Sequence, residues 1–171
     1  MLKKEKIAEV IKIDNGRVVL AVVAGVEISP GSFLELENRS LLLVEEVWEE
    51  FLDGRSAQPL GTTEMSRKEI LKNHPELEMV VINKAYALPL FNNGLKLFLS
   101  AYFLTTREIK ELFKKEDIVL RLFAKNVNEE LIARALKTFS REEKIEILRK
   151  LFLVGYDWQK LKRLAYLLEA E

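Results

Sequence analysis

From Ile7 onward the apolar positions fall into short β-branched runs separated by turn-forming residues. Ile7, Val10, Ile11 and Ile13 lead to Asp14-Asn15-Gly16, and an apolar return runs from Arg17 to Val23. Asn-Gly between two such runs predicts a tight hairpin, because both central positions of a type I′ turn take positive φ. The unbroken apolar return predicts a strand buried on both faces, as in a barrel or a sheet covered by helices. Gly25 to Ser29 is compatible with a short strand or a bend, and Ser29-Pro30-Gly31 with a turn. Ser32 to Glu37 alternates in part before Asn38-Arg39-Ser40 breaks it. Leu41 to Trp48 predicts a fourth strand, a helix through Leu52 being the alternative, and Asp53-Gly54 ends it.

Residues 53–65 have no clear period and contain Pro59 and Gly61, which predicts an exposed loop. Ser66 and Glu69 have capping-box spacing and predict a short helix ending near Asn73, closed by His74-Pro75. Met79 to Ile82 and Ala85 to Leu88 predict strands, or one strand with a bulge at Asn83-Lys84. Asn92-Asn93-Gly94 marks a turn, and Leu95 to Leu104 fits a last strand.

From Thr105 the period changes to that of helices. Thr105 with Glu108 predicts a helix with Ile109, Leu112 and Phe113 on one face. Ile118 to Lys125 is compatible with strand or helix. Asn128 caps a helix carrying Leu131, Ile132, Ala135 and Leu136. Ser140 with Glu143 opens another, with Ile145, Leu148, Leu151 and Phe152 as its apolar face. Gly155 ends it, and Asp157 caps a final helix with Leu161, Leu164, Ala165 and Leu168. The expected fold class is α+β: a small antiparallel β-barrel over residues 1–104, then three or four short helices over 105–171 packed on it.

The 171 residues fit one domain with at most a smaller attachment, and 49% of them are apolar. No apolar run approaches the roughly 18 residues of a membrane helix, and MLKKEKIAEV lacks an h-region, so a soluble cytoplasmic protein is expected. The absence of cysteine excludes disulfides, thiol catalysis and Cys-ligated zinc. Only Gln58 and Gln159 are glutamines while 32% of residues are charged, a balance that points to a thermophile. The net charge is zero: residues 1–100 hold 12 Lys/Arg against 15 Asp/Glu, and residues 101–171 hold 15 against 12. That asymmetry is too small to drive nucleic-acid binding by itself.

The runs IAEVIKIDNGRVVLAVV, ISPGSFLELE and LLLVEEVWE resemble the HAS barrel, the small six-stranded barrel at the N-terminus of HerA-type hexameric ATPases and F-type ATP synthase subunits. The resemblance covers roughly residues 5–103, with Met79–Leu90 and Leu95–Phe103 as closing strands. In that family the barrel caps the ATPase ring and docks partners. No GxxxxGK[ST] occurs in the chain, so the resemblance implies a free-standing docking module without the ATPase engine.

His74 is the single histidine, and no GxSxG accompanies it, so it reads as a helix-terminal residue favoured by the dipole. Glu45, Glu46, Glu49 and Glu50 form the densest acidic group. On a strand, Glu45 and Glu49 would share one face and Glu46 and Glu50 the other, poor geometry for one ion, so the group reads as a solvated face or an acidic docking patch for a basic partner. Lys160, Lys162 and Arg163 beside Trp158 and Tyr166 are the candidate nucleic-acid contacts, in a pair of helices joined like a helix-turn-helix at Val154-Gly155-Tyr156-Asp157. The preceding helix is rich in glutamate, so plain bundle packing with snorkelling lysines is the reading preferred for them. Phe33, Phe91, Phe98, Tyr102 and Phe103 are expected in the core, with base stacking as the alternative. No catalytic, cofactor-binding or metal-ligating set is recognised, and no cofactor is called for. The leading expectation is a non-enzymatic interaction module, homo-oligomeric or docked on a larger assembly such as a ring ATPase. A nucleic-acid-binding protein comes next. A metal-dependent hydrolase using Asp14, Glu45, Asp53 or Asp117 comes last.

Overall fold

The computed structural model describes residues 3–53, 65–115 and 118–170. Six strands, β1 (Ala8–Asp14), β2 (Arg17–Val22), β3 (Phe33–Leu36), β4 (Leu41–Phe51), β5 (Val81–Phe91) and β6 (Ser100–Phe103), close into a barrel in the order β1-β2-β5-β4-β3-β6. Every pairing is antiparallel, and β6 returns to β1. Two hairpins, β1–β2 and β3–β4, are thus joined by later strands: β5 enters between β2 and β4, and β6 between β3 and β1. Closure leaves no free edge where the ring is complete.

Local chemistry explains the hairpins. Asn15 and Gly16 both take positive φ, 47° and 77°, as a type I′ turn requires, and Asp14 faces Arg17. β2 is buried on one face only: Val18, Leu20 and Val22 point inward, while Val19 and Ala21 are half-buried. The two-faced burial expected for Arg17–Val23 occurs instead at the start of β4. There Leu42 and Val44 fill the barrel and Leu41 and Leu43 pack outward under helices. The helices cover the β3–β4–β5 wall and leave β2 uncovered, so the apolar run at 17–23 has one wet face.

Several expected boundaries shift. Of the two alternatives at Gly25–Ser29, strand or bend, no strand forms: Gly25 lies in a turn, with Val26 N–H donating to the Val23 carbonyl. Residues 77–80 form a helical turn, so β5 begins at Val81 and runs unbroken through Asn83-Lys84. The irregularities lie in its pairing with β4, at Leu41/Leu42 and Val44/Glu46. Only Ser100–Phe103 of the expected last strand is strand, because Phe98 takes φ 66° and bends the chain; Phe98 N–H still donates to the Val10 carbonyl. The loop expected at 53–65 lies, from Gly54 to Glu64, outside the described residues.

Helices α1 (Arg67–Asn73) and α2 (Leu77–Val80) stand between β4 and β5, and α3 (Thr106–Lys115), α4 (Ile118–Ala124), α5 (Glu129–Ala135), α6 (Arg141–Leu153) and α7 (Trp158–Glu169) follow β6. The ambiguous segment from Ile118 is therefore helical. Capping boxes at Ser66/Glu69, Thr105/Glu108 and Ser140/Glu143 are made in both directions. Backbone N–H groups of Ser66 and Ser140 hold the Glu69 and Glu143 carboxyls below the ordinary range. Asn128 and Asp157 cap α5 and α7.

The outer core seats these helices on the barrel. Phe113 meets Phe33 of β3 edge-on at 6.0 Å and Phe139 at 5.1 Å. Arg121 of α4 lies over the Phe91 ring at 3.8 Å and donates from Nη1 to the Leu90 carbonyl at 3.0 Å. Within the bundle the Tyr156 hydroxyl is buried with no partner among the described residues. Burial, reinforced by the negative charges of Glu129 and Asp157, pushes its phenol up to about 12. The folded state therefore holds this proton more tightly than the unfolded chain, whose tyrosine titrates at about 10. Its contribution is intact below about pH 10 and is lost as pH rises through the folded value. Tyr156→Phe is expected to be neutral or stabilising by up to about 1 kcal/mol at neutral pH, because it removes an unsatisfied group. It should also flatten the alkaline loss, as read from urea unfolding at about pH 7 and pH 11.

Candidate functional site

β4 and β5 are eleven residues each, far longer than the four-residue β3 and β6. β3 pairs with β4 only as far as Leu43, and β2 pairs with β5 only from Lys84 to Ala87. The ribbon tip, where Glu49, Glu50 and Phe51 face Asn83, Ile82 and Val81, thus lies beyond both neighbouring strands. One face of this tip, the turn after β2, and helices α1 and α2 enclose an open cleft of about 860 Å³.

Its wall is mainly apolar: Phe51 and Val81 from the ribbon, Ile70 and Leu71 from α1, Leu77 and Met79 from α2. Neither α1 nor α2 has a fully buried residue, so their apolar side chains are spent on the cleft rather than on a closed core. The polar part is one ion pair with two flanking groups. Arg67 donates from Nη1 and Nη2 to the two oxygens of Glu49, at 2.6 and 2.8 Å. The Glu49 hydrogen bond, with smaller help from Glu78, raises the already high Arg67 pKa. Glu78 and Asn83 complete the rim. A concave apolar wall with a few fixed polar groups is the general form of a binding site.

The four glutamates singled out in the sequence do not act as one patch. Glu45 is the extra residue at the β4 bulge and accepts from Arg17 Nε at 2.8 Å. Glu49 belongs to the cleft. Glu50 accepts from Lys84 and, at 3.2 Å, from Trp48 Nε1. Glu46 is exposed. Three of the four negative charges thus have intramolecular cations, and the bulge breaks the alternation that would have placed Glu45 and Glu49 on one face. The basic group is likewise divided. Lys160 donates to Asn126 at 3.1 Å, Arg163 pairs with Glu130 at 2.7 Å, and Lys162 lies 5.3 Å above the Trp158 ring.

His74 caps the C-terminus of α1, with Nδ1 3.1 Å from Glu76 Oε1. Asp14 pairs with Lys12 at 3.6 Å, and Asp117 lies outside the described residues. Of the aromatics expected in the core, Phe33 is buried, but Phe98 and Phe103 are exposed. Sequence reasoning overlooked the cleft. Its signal was Ile70, Leu71, Leu77 and Met79, apolar residues in two segments too short to bury a face of their own. Compared with known protein families and with curated proteins, the chain matches none.

Proposed function

We propose that this chain is a non-enzymatic, cytoplasmic interaction module that receives an apolar segment of a protein partner in the cleft at the β4–β5 tip. The observation that carries the reading is an 860 Å³ apolar concavity next to a bidentate ion pair, on a ribbon that overhangs its barrel. The resemblance to a partner-docking barrel supports it, and docking on a larger assembly such as a ring ATPase, or on a second copy, fits the same geometry. The nucleic-acid alternative has less behind it, because Lys160, Lys162 and Arg163 face different neighbours instead of forming one groove.

Met79 is largely exposed and lines the cleft, so Met79→Asp places a charge on the apolar wall without disturbing the core. Capture of partners by the tagged full chain from native lysate should fall about tenfold or more with this variant, as for loss of a central interface anchor, and should resist nuclease. Equal capture by the variant, with an unchanged circular dichroism spectrum, would reject the cleft as the docking site. Capture abolished by nuclease would favour nucleic acid instead.

A further inference from the structure

Asn-Gly occurs twice in the chain, at Asn15-Gly16 and at Asn93-Gly94. In this pair the side-chain amide is open to attack by the next backbone nitrogen, because glycine puts no Cβ beside that nitrogen. The structure treats the two sites differently. The Asn93 N–H donates to Ser40 Oγ at 3.0 Å, Asn93 Nδ2 to the Asn38 carbonyl at 3.2 Å, and the Gly94 N–H to Asn92 Oδ1 at 2.9 Å. Ser40 is fully buried, and Asn38 Nδ2 donates to the Gly94 carbonyl at 2.6 Å, so both residues around the reacting bond are fixed. Asn15 and Gly16 are both exposed, and the Asn15 amide has no hydrogen-bond partner among the described residues. The space beside the Gly16 Cα is open.

We propose that Asn15 is a site of spontaneous deamidation and isoaspartate formation in the folded protein, and that Asn93 is shielded from it. The Gly16 nitrogen gives its proton to solvent base and attacks Asn15 Cγ. The new N–Cγ bond closes a succinimide ring as the Cγ–Nδ2 bond breaks, and the amide takes up a proton and leaves as ammonia. Water then opens the ring. Attack at Cγ restores the ordinary peptide bond and leaves aspartate, whereas attack at the main-chain carbonyl leaves isoaspartate, with the chain running through Cγ. Bringing the nitrogen onto Cγ requires the two-residue loop to turn about Asn15, which loosens the adjoining Asp14–Arg17 pair and releases the positive φ of Asn15. The same motion at Asn93 has to break the hydrogen bonds named above. Either product puts a carboxylate beside Asp14, whose cation Lys12 lies at 3.6 Å. Isoaspartate also lengthens the main chain by a methylene, so the turn joining β1 to β2 loses its two-residue geometry.

The two sites fall in separate tryptic peptides, Ile13–Arg17 and Ala85–Lys96. The full chain is incubated in mildly alkaline buffer, folded or in urea, and the peptides are followed by mass spectrometry, each conversion adding one mass unit as NH2 gives way to OH. In the folded protein Asn15 should convert about tenfold or more faster than Asn93, the factor that two or three additional hydrogen bonds supply. In urea, where those bonds are lost, the two rates should converge. The Asn15 product should include the isoaspartyl peptide, identified by coelution with a synthetic standard; aspartate alone would overturn the succinimide route. Asn93 converting as fast as Asn15 in the folded chain would overturn the proposal. So would an Asn15 peptide that gains mass in urea but stays unchanged in the folded chain, since the hairpin would then hold it as firmly as the network holds Asn93. Rates that stay apart in urea would place the difference in the flanking sequence and equally overturn it.

Discussion

Gly31→Ala is expected to destabilise the protein by about 2–5 kcal/mol, the sum of a left-handed backbone cost and an overpacking cost. Gly31 takes φ 91°, in the region that disfavours a side chain. A Cβ built there would stand 2.8 Å from Arg134 Cβ and 3.0 Å from the Ala135 backbone nitrogen. The turn before β3 is therefore pressed against the end of α5, and two of the three nearest atoms are α5 backbone, which cannot swing aside as the end of a flexible side chain does. Gly25 is the control. It takes φ 81° with open space around the Cβ position, so Gly25→Ala should show only the conformational part, about 1–2 kcal/mol. Urea unfolding followed by circular dichroism measures both. Equal losses at the two glycines would mean that α5 does not bear on the barrel at Gly31.

Leu43→Ala is expected to cost about 2–5 kcal/mol, the range for opening a cavity at a fully buried leucine. Leu43 is completely buried in the layer between barrel and helices, whereas its neighbour Leu42 is completely buried inside the barrel. Leu42→Ala should cost a similar amount by the same mechanism. In both variants unfolding should remain a single transition, with barrel and helical signals lost together, because Phe33, Leu43, Leu88 and Leu90 share one core with the helices. A second transition, in which the helical signal ignores Leu42→Ala, would instead make residues 105–171 an independent unit. The pair of variants therefore tests whether the helical region is an attachment or part of one fold.

The helix-layer chemistry was largely legible in the chain. Capping at Ser66, Thr105, Asn128, Ser140 and Asp157 depends on residues three positions apart, and each cap formed as its spacing implied. The turn at Asn15-Gly16 is local for the same reason. The functional surface was much less legible. The glutamates of β4 looked like one acidic group, but Arg17 lies 28 positions away from Glu45, Lys84 34 from Glu50 and Arg67 18 from Glu49. Likewise α6 has apolar residues around most of its circumference, so spacing could not say which of them would face the core.

By itself, then, the sequence determined the turns, the helix caps and the α+β class, since these follow from backbone preferences and hydrogen bonds within a few residues. Tertiary structure alone decided the strand order, in which β5 enters between β2 and β4, and which wall of the barrel the helices cover. It also decided that α1 and α2 line a cleft and that Ile145, Phe152, Trp158 and Tyr166 remain at the surface. Those outcomes come from competition among distant apolar surfaces for a limited number of buried positions, and no local window of the chain contains all the competitors.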